Sequence, residues 1–159
     1  MALGGVAYRW RGNTTGTANT NRVAAAVLND GSIVSELNLN GTGDDITNAW
    51  EAAGIVWANA QPLVTRVEFV HGTHDGGAAG NGNFEVSFKL QISTDGTTWV
   101  DATGWTLTPV YPFNATMANA TYVFTGSAAN VRGVRVTGKV HTSASTGSWH
   151  ARAREVRAF

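Results

Sequence analysis

The stretch from residue 84 to residue 93 constrains the fold class more firmly than any other. Phe84, Val86, Phe88, Leu90 and Ile92 alternate there with Glu85, Ser87, Lys89, Gln91 and Ser93. A period of two puts the apolar side chains on one face of a pleated strand and the polar ones on the other, and it cannot make a helical stripe. One buried face and one wet face indicate an antiparallel sheet. Thr94-Asp95-Gly96-Thr97 follows, with Asp-Gly at the centre of a turn, and Thr98-Trp99-Val100 begins a return strand.

Weaker versions of the same pattern recur along the chain. Residues 63–70 alternate through Leu63, Thr65, Val67 and Phe69. Within 131–140, Val134, Val136 and Val140 share one face, and Arg135, Thr137 and Lys139 the other. Residues 122–124 and 149–159 read as further strands, and 6–10 and 33–39 as fainter ones. Helix is expected only as a turn or two over 22–28, closed by Asn29-Asp30-Gly31, and as a short turn over 46–53 with Thr47 as its cap. The 19 Gly, 20 Thr and 13 Asn among 159 residues suit strands and turns rather than helices. About eight short strands between Gly- and Asn-rich loops predict an all-β fold, a single jelly-roll β-sandwich. It spans 1–159 as one domain, with 1–21 as an N-terminal arm.

Several function classes are excluded at this level. A formal net charge of zero lacks the basic footprint of a nucleic-acid binder. No apolar run approaches the ~18 residues of a membrane span, so no membrane insertion is expected. Residues 1–5 show no basic region followed by an apolar stretch, so no secretion signal is expected. With no cysteine there is no disulfide, thiolate metal site or thiol catalysis. No nucleophile elbow, phosphate-binding loop or zinc-protease motif occurs, and the chain reads as a non-enzyme.

Four segments, in order, carry a family likeness. They are Leu28-Asn29-Asp30-Gly31; Gln91-Ile92-Ser93-Thr94-Asp95-Gly96-Thr97-Thr98-Trp99; Val131-Arg132-Gly133-Val134-Arg135-Val136; and Ala151-Arg152-Ala153-Arg154-Glu155-Val156. Together they resemble the discoidin family, the coagulation factor 5/8 type C domains and related galactose-binding-like carbohydrate-binding modules, in a microbial or bacteriophage version. The likeness covers most of 22–159 and departs in lacking the terminal disulfide of vertebrate members. It implies a jelly roll that binds and does no chemistry. It also implies a structural calcium ion between the early Asp-Gly loop and the late Glu, with Asp30 and Glu155 as ligands completed by carbonyls. The alternative for these two is a turn residue and an Arg partner.

If successive strands run antiparallel, the loops 72–83, 102–120 and 141–148 gather at one pole. They bring His71, His74, Asp75, Asn81, Trp105, Tyr111, Phe113 and His141 there. Sugar recognition uses an aromatic platform for the ring and short polar groups for the hydroxyls. Trp105, Tyr111 or Phe113 could be that platform, or could cap the core; His74, Asp75 and Asn81 would bind hydroxyls. His71 and His74 lack a third ligand for a metal site. Arg132, Arg135, Arg152, Arg154 and Arg157 concentrate near the C-terminus and suit fixed contacts, within the chain or to another.

Two functions are therefore expected. One is a carbohydrate-binding or adhesion module for a glycan or cell-surface ligand, displayed on a phage particle. The other is a structural virion protein, a capsid decoration or tail component, assembling with other virion proteins or with itself. The chain opening on its own Met without a leader supports a virion-surface location.

Overall fold

The computed structural model describes residues 1–10, 22–39, 50–73, 82, 84, 86–111, 119–140 and 151–159. Two long strands organise them. β4 (Trp50–His71) and β8 (Thr121–Lys139) pair antiparallel, with the register broken between Val56 and Gln61 and again between Val64 and Arg66. At the first break both strands leave one layer and enter the other. The segments 50–56 and 133–139 centre the first layer. β1 (Val6–Trp10) and β2 (Arg22–Ala24) extend it on one side, β5 (Val86–Ser93) and β6 (Val100–Asp101) on the other. The segments 61–71 and 121–131 centre the second layer. β9 (Arg152–Ala158) and β3 (Leu37–Asn38) flank it on one side, β7 (Thr106–Thr108) on the other. One nine-stranded sheet, order β2-β1-β4-β8-β5-β6 with β3, β7 and β9 branching from it, thus doubles over into a sandwich.

Strand parity fills the space between the layers. Ala53, Ile55, Leu90, Val134 and Val136 of the first layer share one core with Val67, Phe69, Tyr122, Phe124 and Val156 of the second. Full burial of each larger side chain contributes about 1.5–3 kcal/mol. The hairpin after β5 is set by Asp95, whose carboxylate accepts the amides of Thr98 (2.6 Å) and Thr97 (2.7 Å) and the Ser93 hydroxyl (2.9 Å). Those bonds, the Thr98 amide first, hold its carboxyl well below the usual range. Gly96 takes a left-handed φ of 81° there, which favours glycine.

The all-β expectation holds, with revised elements. Residues 63–70, 122–124 and 131–140 are pieces of the two long strands. The register breaks reset the alternation and disguise their continuity. The expected helical turn over 46–53 is replaced, from Trp50 onward, by the start of β4, while 46–49 lie outside the described residues. Trp50-Glu51-Ala52-Ala53 has no strong strand propensity, but β8 pairs along all of it and β1 joins from Ala52, and that pairing overrides it. Residues 22–28 divide into β2 and a single 3-10 turn, Ala26–Asn29. Of 33–39 only Leu37–Asn38 pairs as strand. In 84–93 the ladder shifts register between Val86 and Lys89, where Ser87 takes φ 60°. Val6–Trp10 is not a loose arm but lies between β2 and β4.

Candidate functional site

The end of the sandwich opposite the bend is a gathering point. In the first layer Trp10 pairs with Arg22 and Ala52, and Trp50 and Val86 with Lys139. In the second layer Val70 pairs with Thr121 and His71 with Ala153. Gly72 N–H donates to the Arg152 carbonyl (2.9 Å), Leu39 N–H to Ala151 (2.9 Å) and Asn119 N–H to His71 (3.1 Å). The described ends flanking 11–21, 40–49, 74–81, 112–118 and 141–150 all meet at this pole. His74, Asp75, Asn81, Phe113 and His141 belong to those segments and lie outside the described residues.

The three other pole candidates are described, and they sit deeper. His71 is fully buried, its Nδ1 2.8 Å from the Gly72 carbonyl oxygen, among the rings of Phe69, Tyr111 and Tyr122. Tyr111 is stacked on Phe88 with centroids 3.8 Å apart, and its hydroxyl accepts the Phe84 amide (3.1 Å). Burial raises its phenol far above the ordinary range. These two side chains close the core beneath the pole. Trp105 is farther off. It lies against Gly126, where a Cβ would come within 2.6 Å of the indole Cγ, five residues along β8 from Thr121 or roughly 17 Å.

Glu36 was missed by sequence reasoning, yet it fastens this end. It accepts the Thr73 amide (2.6 Å) and faces Arg154 (3.3 Å) and Arg152 (3.9 Å). Burial alone would raise its carboxyl; the Thr73 hydrogen bonds and the two arginines outweigh that and lower it. Arg157 pairs with Glu68 (3.0 Å), so three of the C-terminal arginines have carboxylate partners within the chain.

Asp30 is exposed and its Oδ1 accepts the Ser32 amide (2.8 Å), a turn role, while its charge acts on Glu155. Glu155 is buried, its Oε1 accepts the Gly31 amide (3.3 Å), and its Oε2 has no hydrogen-bond partner among the described residues. Burial raises this carboxyl to about 7, with the charge of Asp30 adding to the rise and the Gly31 amide and Arg157 opposing it. A cavity of about 230 Å³ lies beside it, lined in part by Leu3, Gly4, Asn29, Gly31 and Arg157. No group of three metal-ligating side chains occurs among the described residues. The pair therefore fits a cation only if carbonyls of the 29–31 loop complete the shell, and the orphaned oxygen supplies the anionic donor.

A second set of residues was also not anticipated as a group. The outer face of the first layer carries Tyr8 and Trp10 from β1, Trp50 from β4, Arg135 from β8, and Trp99 just before β6. Arg135 is wholly buried there, with its guanidinium 4.4 Å from the Trp99 ring centroid and 5.3 Å from that of Trp10. Gly54, its cross-strand neighbour, leaves the space: a Cβ at residue 54 would come within 2.6 Å of the Arg135 Cβ. The alternating Tyr8-x-Trp10 was the available signal.

No protein-family model matches the sequence, and no curated protein matches it. Solved structures do match. A chitosan-binding module from a chitosanase/glucanase of Paenibacillus sp. IK-5 is 16% identical, with TM-score 0.56 over 99% of this chain and 96% of that one. A chain of the Streptococcus pneumoniae beta-galactosidase BgaA is 10% identical, with TM-score 0.57 over 99% and 93%. CBM32-1 from a family 31 glycoside hydrolase of Clostridium perfringens is 13% identical, with TM-score 0.54 over 96% and 93%. At these identities the likeness establishes the fold alone, a jelly-roll β-sandwich.

Proposed function

We propose that this protein is a non-catalytic carbohydrate-binding module whose ligand site is the pole opposite the bend. The observation that carries the reading is the convergence of the flanking strand ends at that pole, on a sandwich shared with two modules whose names record carbohydrate binding. Loops held by a rigid sandwich are where binding residues concentrate. His74, Asp75, Asn81, Phe113 and His141 are assigned the ligand contacts, while His71 and Tyr111 support them from below. Trp105 is not part of the platform. The cation at Asp30 and Glu155 is calcium in this reading, tying the early loop to the last strand. Its role is structural.

A glycan array that includes chitosan and β-galactoside oligomers tests the reading, with wild type beside the His74→Ala/Asp75→Ala double variant. At least one ligand should bind at millimolar or lower concentration and be lost in the variant. No binder at any concentration up to that range would remove the proposal. Display on a phage particle, with virion proteins or a second copy as partners, is the finer part of the same reading. It rests on composition, nine Arg against two Lys. The C-terminal arginines that first suggested a partner are largely engaged within the chain. A strictly monomeric protein that copurifies with nothing would argue against assembly.

A further inference from the structure

A sheet face that meets only water needs nothing more than small polar residues. The outer face of the first layer is built differently. Beneath it lie Trp10, Ala52 and Arg135, each at most 2% exposed. Above them the rings of Tyr8, Trp50 and Trp99 are half exposed. Trp10 and Trp99 meet edge to face at 5.2 Å. Lys89 places its ammonium 5.2 Å from the Trp50 ring centroid, and Arg22 its guanidinium 4.6 Å from that of Tyr8. Cations near aromatic faces gain from the ring quadrupole; Arg22 also donates from Nη1 to the Gly96 carbonyl (3.1 Å).

Charge on this face is unbalanced. By register Arg22, Lys89, Arg135 and Lys139 point the same way, and Asp101 is the carboxylate that joins them among the described residues. Asp101 is taken by Lys89 (2.8 Å) and by the Gln91 amide (2.8 Å). Arg135 is left with a neutral acceptor, the Gln91 carbonyl oxygen at 2.6 Å and 2.8 Å, and its Nη1 finds no partner among the described residues. Burial disfavours its charge, yet arginine remains protonated at neutral pH. A dry cation without a contacting carboxylate, roofed by half-exposed rings, is an arrangement that an incoming anion completes.

We propose that this face is a second ligand surface, which borders the pole at Trp50 and Arg22 and runs away from it over Lys89 and Trp99, and that it takes an extended carboxylate-bearing polysaccharide laid across the strands. The rings of Trp50, Trp99 and Tyr8 receive sugar faces, and Lys89 and Arg22 receive carboxylates. From β2 to β5 the face crosses five strands at about 4.8 Å spacing, roughly 19 Å, which suits a stretch of chain rather than a single ring.

Affinity electrophoresis through polygalacturonate, with neutral galactan as control, tests the surface. Wild type should be retarded by the acidic polymer and not by the neutral one, and less so as salt is raised. The Lys89→Gln/Trp99→Ala double variant should bind at least tenfold more weakly, and Lys89→Arg should bind like wild type. Both substituted positions are half exposed, and a thermal melt of each variant verifies that it is folded. Absence of retardation, equal retardation of the double variant, or equal retardation by galactan would each overturn the proposal. Binding of any array ligand held at the pole should be unchanged in the double variant, so the two surfaces succeed or fail separately.

Discussion

Both outer faces of the sandwich set arginine against rings, Arg66 on the second layer lying 3.9 Å from the Phe159 centroid, but they differ in carboxylate partners. On the second layer, Arg66 and Arg157 share Glu68 at 3.3 Å and 3.0 Å, and Arg152 and Arg154 share Glu36. On the first layer, Arg135 and Arg22 rest on rings, and only Lys89 touches a carboxylate among the described residues. The second face is satisfied within the chain, whereas the first holds a buried arginine without a contacting carboxylate among the described residues, under half-exposed rings. Residue type alone does not separate a structural arginine from a ligand-facing one; the partner does.

The comparison predicts unequal responses to substitution. The largest effect falls on the first face. Trp10→Ala removes a buried ring and its edge contact with Trp99, and urea denaturation should show a loss of about 3–5 kcal/mol. Arg135→Met is the informative contrast: it removes a desolvated charge but leaves the Gln91 carbonyl oxygen without its donor, so opposing effects should keep the net change within about 2 kcal/mol. A strong loss of stability in that variant would mean that Arg135 is a structural keystone.

Calcium comes next. At a hundred times its dissociation constant, a bound ion adds about 2.7 kcal/mol. Adding calcium should raise the melting temperature of wild type, chelator should reverse the rise, and Glu155→Gln should show neither. A wild-type melt that ignores both additions would remove the ion from the account.

Smaller effects belong to the second face. Because Glu36 is lowered in the folded state, its contribution is present above the ordinary value of 4.5 and fades as pH falls through the folded one. Glu36→Gln should therefore cost about 1 kcal/mol at pH 7, and wild type and variant should converge at strongly acid pH. Glu68→Gln should cost at most about 1 kcal/mol, and the difference should shrink in high salt.

How legible this was from sequence varied with the range of the interaction. The alternation over 88–93 and the Asp95-Gly96 hairpin depend on neighbours a few residues away, and they could be read directly. β4 and β8 could not be read whole, because their register breaks interrupt the two-residue period that marks a strand. Glu155 reaches the loop after Asp30 through the Gly31 amide, a contact between residues 124 positions apart that no local pattern announces. His71 and Trp105 show another limit: chain position put them at a loop, but burial and a space opened by Gly126 decided where the side chains went. The Trp10–Trp99–Arg135 cluster joins residues up to 125 positions apart, and only the pairing order of β1, β4, β8 and β5 brings them together.

The central claim is that glycan is held at the pole opposite the bend. The most direct measurement is amide chemical-shift mapping during titration with the best array ligand. The largest perturbations are expected at Gly72, Thr73, Phe84, Ala120 and Ala151, which flank the pole, with the hairpin 94–98 at the other end unmoved. Perturbations confined to that hairpin, with the pole amides unchanged at saturation, would contradict it.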